Sequence, residues 1–305
     1  MKVLITGATG FVGSPLVDLL TQAGDQVVRI SRRSAPGKDS IQWNPAAGRL
    51  EAASLEGADA VVHLAGESIA AGRWTAAQKA RIRDSRVLGT RLLAESLARL
   101  SRRPKVLVSA SAIGYYGNRG DERLDESSAS GTGFLPEVCR EWEAAAKPAA
   151  DCGIRVVQLR IGLVLAPGGG ALAKMLPPFQ MGVGGIIGDG RQYMSWIALN
   201  DLVAVIRHAL ITGNLAGPVN AVAPQAVTNR EFTKTLGHVL GRPTILPMPA
   251  FAARLAFGEM ADELLLSSAR VEPRNLLASR YVFRHPELES ALRFLLGRQA
   301  GKATR

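Results

Sequence analysis

Short apolar runs alternate with longer stretches of helical period along the first half of the chain. The strand-like runs fall at Lys2–Ile5, Gln26–Ile30, Ala58–Leu64, Lys105–Ser109 and Arg155–Leu159. Between them, over Ser14–Gly24, Thr75–Leu100 and Phe134–Cys152, apolar positions recur every three or four residues, as on one face of an amphipathic helix. Strand and helix in this order predict an α/β fold: a Rossmann-type, doubly wound parallel sheet with helices on both faces and ligands over the carboxyl ends of the strands.

After residue 165 the alternation breaks down. Pro167–Gly170, Pro177-Pro178 and Gly182–Gly190 read as loops. Asn200–Thr212 reads as a helix with Asn200 as N-cap, and Pro218–Val222 as a strand returning to the main sheet. Thr228–Leu240, Pro249–Phe257, Met260–Ser268 and Pro286–Leu296 read as further helices. The predicted division is a cofactor-binding domain over residues 1–165, rejoined by 200–222, and a smaller, discontinuous C-terminal substrate region over 166–199 and 223–297. Residues 298–305 form a fraying tail.

Composition narrows the class. With 305 residues, 47% hydrophobic and 21% charged, the chain can build one large core or two small ones. It has neither a twenty-residue apolar stretch nor a basic, cleavable leader, so a cytoplasmic protein without a membrane partner is expected. Cys139 and Cys152 are too few for a disulfide framework, and the four histidines lack ligand spacing, so no metal is expected. The 37 Lys and Arg against 26 Asp and Glu give a formal charge of +11. Many of these cations, from Lys79 to Lys105, interleave with Ile82, Val87, Leu92, Leu93 and Leu97. That pattern is the solvated face of a helix, and no nucleic-acid partner is expected.

The chemistry is concentrated at the amino end. The first apolar run breaks into Gly7-Ala8-Thr9-Gly10-Phe11-Val12-Gly13 and then into a helix. Gly7 permits a tight turn, Gly10 lets backbone amides approach a pyrophosphate, and Gly13 allows close packing of helix on strand. At the end of the second strand, where an acidic side chain would accept from the ribose hydroxyls of NAD, the run is Ser31-Arg32-Arg33-Ser34. Forked guanidinium donors and a hydroxyl suit a phosphate instead, which predicts NADP(H).

Further residues carry a family resemblance over nearly the whole chain: His63-Leu64-Ala65-Gly66, Arg86-Val87-Leu88-Gly89-Thr90, Ser109-Ala110-Ser111-Ala112 before Tyr116-Gly117, and Trp196 to Leu202. With them the chain resembles the extended short-chain dehydrogenases/reductases. Ala65-Gly66-Glu67, Gly114-Tyr115-Tyr116-Gly117, Trp142-Glu143-Ala144-Ala145 and Gly168 to Leu172 are similar to its atypical epimerase-family branch. The resemblance implies that Leu64, Ala65 and Gly66 line the adenosine side of the cofactor. It also implies that Arg86, at a position often held by Asn, reaches the cofactor, or else is one more solvated helix charge.

Ordinary members of the superfamily move the proton with a Tyr and a Lys four residues later. Here Arg119, Gly120, Ile197 and His285 follow the four tyrosines at that spacing, so the pair is absent. Aligning the helix through Glu143 puts Leu135 and Cys139 in their places, and neither can substitute. Ser111 matches the family serine, and Tyr116 follows it closely, so these two are the candidate catalytic residues. Glu67 is a weaker candidate, Lys147 and Cys139 weaker still, and Arg191 is a candidate anion contact. Two functions follow: an NADP(H)-dependent reductase or epimerase-like enzyme acting on a small molecule of unknown identity, or a non-catalytic NADP(H)-sensing or scaffolding protein. The oligomeric state stays open, a homodimer among the alternatives.

Overall fold

The computed structural model describes residues 1–32 and 40–298. In chain order the first elements are β1 (Lys2–Thr6), α1 (Gly13–Gln22), β2 (Gln26–Ser31), β3 (Ser40–Asn44), β4 (Arg49–Leu50), β5 (Ala60–His63), α2 (Ala76–Ala98) and β6 (Val106–Ala112). There follow β7 (Arg123–Leu124), α3 (Phe134–Ala144), α4 (Lys147–Asp151), β8 (Arg155–Ile161), β9 (Leu163–Ala166), α5 (Gly170–Gln180), β10 (Tyr193–Met194) and β11 (Trp196–Ala198). The remainder are α6 (Leu199–Ile211), β12 (Gly217–Ala221), β13 (Val227–Thr228), α7 (Asn229–Leu240), α8 (Ala250–Phe257), β14 (Arg270–Val271), α9 (Arg274–Ala278) and α10 (Leu288–Leu295).

Eight strands form one sheet in the order β12-β8-β6-β5-β1-β2-β3-β4. β1 pairs in parallel with β2 on one side and β5 on the other, and β5 and β2 continue in parallel to β6 and β3. Only the short β4 is shown running antiparallel to its neighbour, β3. The strand order therefore reverses at β1, which puts the ligand crevice of such a sheet over the carboxyl ends of β1 and β5. Val3, Leu4 and Ile5 are wholly buried, as expected of a central parallel strand covered on both faces, and this is why β1 reads as a continuous apolar run.

The chain divides into two compact units. One comprises Met1–Tyr115, Thr132–Arg160 and Val203–Val219; the other comprises Tyr116–Gly131, Ile161–Leu202 and Asn220–Arg305. In the first, Leu4, Ile30, Trp43, Val61, Leu93 and Leu97 share one core cluster. Arg155 closes the end of α6 there, donating from Nη1 to the carbonyls of Ala209 (3.0 Å) and Leu215 (2.7 Å) and from Nη2 to that of Leu210 (3.1 Å). The carbonyls of Ala209 and Leu210 are among those a helix terminus leaves without amide partners, and Leu215 lies in the turn that follows.

In the second unit, Leu165, Leu172, Trp196, Phe232 and Leu292 form the centre of another cluster. The fully buried Asp201 accepts from the amides of Arg284 (2.8 Å) and His285 (2.9 Å) and from the Tyr281 hydroxyl (3.2 Å). Ser195 Oγ donates to the carbonyl of Ala269 and accepts from the amide of Val271. Two short polar side chains thus hold the C-terminal segments. Among the described residues no helix is long and apolar enough to cross a membrane.

Several expectations need correction. Residues 116–131 leave the first unit for the second, and the second begins again at 161 rather than 166. Phe134–Cys152 is two helices, because Pro148 at the start of α4 has no amide to continue α3. Pro177 and Pro178, expected in a loop, lie inside α5. Pro177 is exposed, so water can meet a carbonyl left without its donor. α6 begins at Leu199, which places Asn200 inside the first turn rather than at the cap. Met260–Ser268 reduces to one wide turn over Ala261–Leu265. β3 was not anticipated, although its inward Ile41 and Trp43 alternate as a half-buried strand requires.

Candidate functional site

The turn after β1 is built by contact, not only by conformation. Gly7 has φ +69°, in the left-handed region, and a Cβ there would lie 2.9 Å from the backbone carbon of Leu64. A Cβ on Gly13 would lie 2.1 Å from the Gly7 carbonyl oxygen. That oxygen also accepts the Gly10 amide at 2.9 Å, while the Gly10 carbonyl accepts the Ser14 amide at 2.9 Å. Gly10 therefore shapes the turn with its own amide, leaving any approach to a phosphate to the amides that follow it. The amides of Phe11 and Val12 meet no acceptor among the described residues, and Val12 caps α1 without a side-chain bond. Such a glycine-shaped helix start, with amides to spare and its dipole behind it, fits a pyrophosphate. Thr9 lies exposed on the same turn.

A buried polar chain holds the neighbouring segment after β5. Thr6 Oγ1 accepts the amides of Leu64 (3.1 Å) and Ala65 (3.2 Å) and lies 2.7 Å from His63 Nδ1. With two amides directed at its lone pairs, the hydroxyl gives its proton to Nδ1. That fixes the imidazole as the Nε2–H tautomer, donating to Thr90 Oγ1 at 2.9 Å. Burial holds the His63 pKa down to about 4, so the ring is neutral near pH 7. Leu64 and Ala65 are thereby set beside Gly7, where the resemblance expects the adenosine side.

At the end of β2, Ser31 is half-buried and Arg32 exposed. Among the described residues Arg32 makes no hydrogen bond or ion pair, and β2 itself carries no carboxylate. Arg33 falls outside the described residues. Arg86 is engaged differently from expectation. Its Nη1 donates to the carbonyls of Glu67 and Ile82, each at 3.0 Å, and its guanidinium lies 4.9 Å from the centre of the Trp142 ring. A Cβ on Gly66 would meet it at 3.5 Å. Arg86 is thus not a solvated helix charge; it fastens the backbone at Glu67. The Glu67 amide is fastened too, donating to Ser85 Oγ at 3.0 Å.

Ser111, near the carboxyl end of β6, is buried, and its Oγ donates to Glu143 Oε1 at 2.7 Å. Arg160 on β8 holds the same carboxylate with both teeth of its fork, Nε to Oε1 at 2.8 Å and Nη2 to Oε2 at 2.9 Å. The Arg160 guanidinium lies 3.5 Å from the centre of the Tyr115 ring. Its side chain is 4% exposed and that of Glu143 11%. Sequence reasoning used Glu143 to align a helix and as part of a family motif, without a role, and missed Arg160, whose charge near the end of the largely apolar β8 was the available signal.

The remaining candidates do not join these groups. Tyr116 is wholly buried, and its hydroxyl is 2.9 Å from the Asp125 carbonyl and 2.7 Å from Asn220 Oδ1. A phenol so enclosed ties the Asp125 and Asn220 segments together. Burial pushes the Cys139 thiol up to about 12, and Cys139 packs with Leu135 against Gly114. Lys147 is exposed and pairs with Asp151. Arg191 is exposed, its amide bonded to Asp189 Oδ1 at 2.9 Å.

Known proteins resemble the chain over most of its length. The profile described as "NAD dependent epimerase/dehydratase family" matches residues 3–221, and a profile for a domain of unknown function matches 248–295. An epimerase family protein of Mycobacterium bovis is 44% identical over 290 residues, covering 95% of this chain and 96% of that protein. The crystal structure of human epimerase family protein SDR39U1 with NADPH superposes with a TM-score of 0.89 at 36% identity, covering 97% of this chain and 99% of the human one. A nucleoside-diphosphate sugar epimerase from Corynebacterium glutamicum gives a TM-score of 0.80 at 38% identity, covering 97% of this chain and 58% of that one.

Proposed function

The chain belongs to the NAD dependent epimerase/dehydratase family, whose members bind a nicotinamide cofactor, and from that premise we propose that it is an NADP(H)-dependent oxidoreductase or epimerase-like enzyme acting on a small molecule. The observation that carries the NADP(H) preference is Arg32, exposed and unpaired among the described residues at the end of β2, with Ser31 beside it and no carboxylate on β2 itself. A guanidinium suits a ribose phosphate, whereas NAD-binding sheets place an acid at this point. The human relative solved with NADPH supports the same choice.

The cofactor, when bound, supplies the hydride chemistry. The chain's own part is to hold it: Phe11 and Val12 amides toward the pyrophosphate, Arg32 toward the extra phosphate, Leu64 and Ala65 along the adenosine. Ser111 is the polar group offered at the carboxyl end of the sheet, where a substrate would lie. A second reading, an NADP(H)-sensing or scaffolding protein, is favoured by one observation: no Tyr-x-x-x-Lys pair exists, and Cys139, at the lysine position, is a buried, protonated thiol.

Calorimetry tests the cofactor reading. Arg32→Glu is expected to weaken NADPH binding roughly 10- to 100-fold, the loss of a charge-assisted hydrogen bond, with NADH nearly unaffected. Equal NADPH affinity in the variant would sink the assignment. Transfer of deuterium from 4-labelled NADPH into any product of a carbonyl and enone screen supports the enzyme; its absence throughout favours the sensor.

A further inference from the structure

Nothing assigns a role to the carboxylate under Ser111. A carboxylate paired with a guanidinium can only accept hydrogen bonds, and the two bonds from Arg160 match Glu143 to a cation inside a poorly solvated site. The 2.7 Å contact with Ser111 can then have one polarity: the serine hydroxyl is the donor. A hydroxyl has one proton and two lone pairs, so a serine whose proton is committed inward presents only acceptor capacity to whatever binds beside it.

We propose that Glu143, clamped by Arg160, is a positioning residue that fixes Ser111 as a hydrogen-bond acceptor, so that the group bound there must bring an O–H or N–H donor rather than a bare carbonyl. The placement of a ligand beside Ser111 rests on the nicotinamide reading given above; the polarity of Ser111 does not. The donor has two sources, the cofactor's carboxamide N–H or a substrate hydroxyl. The electrostatics favour this assignment over a structural ion pair alone. Arg160 needs only the carboxylate, yet Oε1 accepts a second donor, from the one serine the resemblance places at the chemistry.

Neutron diffraction on deuterated crystals tests the polarity without any ligand. The Ser111 deuteron is expected on the line to Glu143 Oε1; a deuteron turned elsewhere overturns the proposal. Calorimetry then compares NADP+ with its 3-acetylpyridine analogue, which keeps the carbonyl and loses the N–H. If the carboxamide is the donor, the wild type favours NADP+ about 3- to 10-fold. Ser111→Ala, which leaves the ion pair intact, abolishes that preference. Glu143→Gln also abolishes it, because an amide that donates to Ser111 frees the serine proton for the carbonyl that both cofactors carry.

If the substrate is the donor, the two cofactors bind alike. Saturation-transfer NMR on the NADP+-loaded protein with matched alcohols and ketones then shows alcohol contacts that Ser111→Ala removes. A deuteron in place with no discrimination in either arm, although NADP+ binds, overturns the ligand half of the proposal. A deuteron in place with no heat from NADP+ condemns the cofactor reading and leaves the acceptor polarity of Ser111 standing.

Discussion

A methyl group on Gly13 would sit 2.1 Å from the Gly7 carbonyl oxygen. Backbone on both sides cannot yield that distance without moving α1 off β1. Gly13→Ala is therefore expected to destabilise the protein by about 1–3 kcal/mol and to abolish NADPH binding, read by thermal denaturation and calorimetry. His63 gives a pH-dependent prediction. Its neutral form is the one that folds, since the native pKa is about 4 while the unfolded imidazole takes a proton near 6.5. This contribution is complete above about pH 6.5 and falls by roughly 3 kcal/mol as pH drops through 4. Urea titrations at several pH values should show the slope, and His63→Asn should flatten it. An unchanged slope in the variant would place the acid sensitivity in another group. Residues of this kind differed in how legible they were. Gly7 and Gly13 were readable because their roles depend on spacing along the chain. Glu143 and Arg160 were not, because their partnership joins positions 17 residues apart on α3 and β8, and Ser111 another 32 away on β6.

Among the elements, β1, β2, β5, β6 and β8 and the long helix α2 were legible, since each carries an unbroken periodic or apolar pattern. The failures have local causes. Pro177 and Pro178 were taken as helix breakers, but a proline on an outward face forfeits an amide whose acceptor water can satisfy. The break between α3 and α4 was hidden by apolar alanines that keep the helical period across Pro148. α7 was well predicted because its start is chemically explicit. Thr228 Oγ1 accepts the Glu231 amide at 3.2 Å, and Glu231 Oε2 accepts the Thr228 amide at 2.7 Å. Thr228→Ala should cost about 1 kcal/mol, measurable as a shift of the denaturation midpoint without a change in slope.

For the molecule as a whole, the α/β class and the large parallel sheet followed from alternation alone, but the partition into units did not. Composition across residues 116–131 does not change in any way that marks a departure. What places them in the second unit is pairing with distant chain, as β7 with β14 and the Ser268 amide with Asn118 Oδ1 at 3.1 Å. The backbone passes from one unit to the other after residues 115, 131, 160, 202 and 219. The outermost strand of the large sheet, β12, ends only at Ala221. A nascent polypeptide emerging from the ribosome thus cannot finish its large sheet until Ala221 has been added. Neither half can be cut out as a continuous gene fragment, so shuffling by a single crossover would swap both or break both.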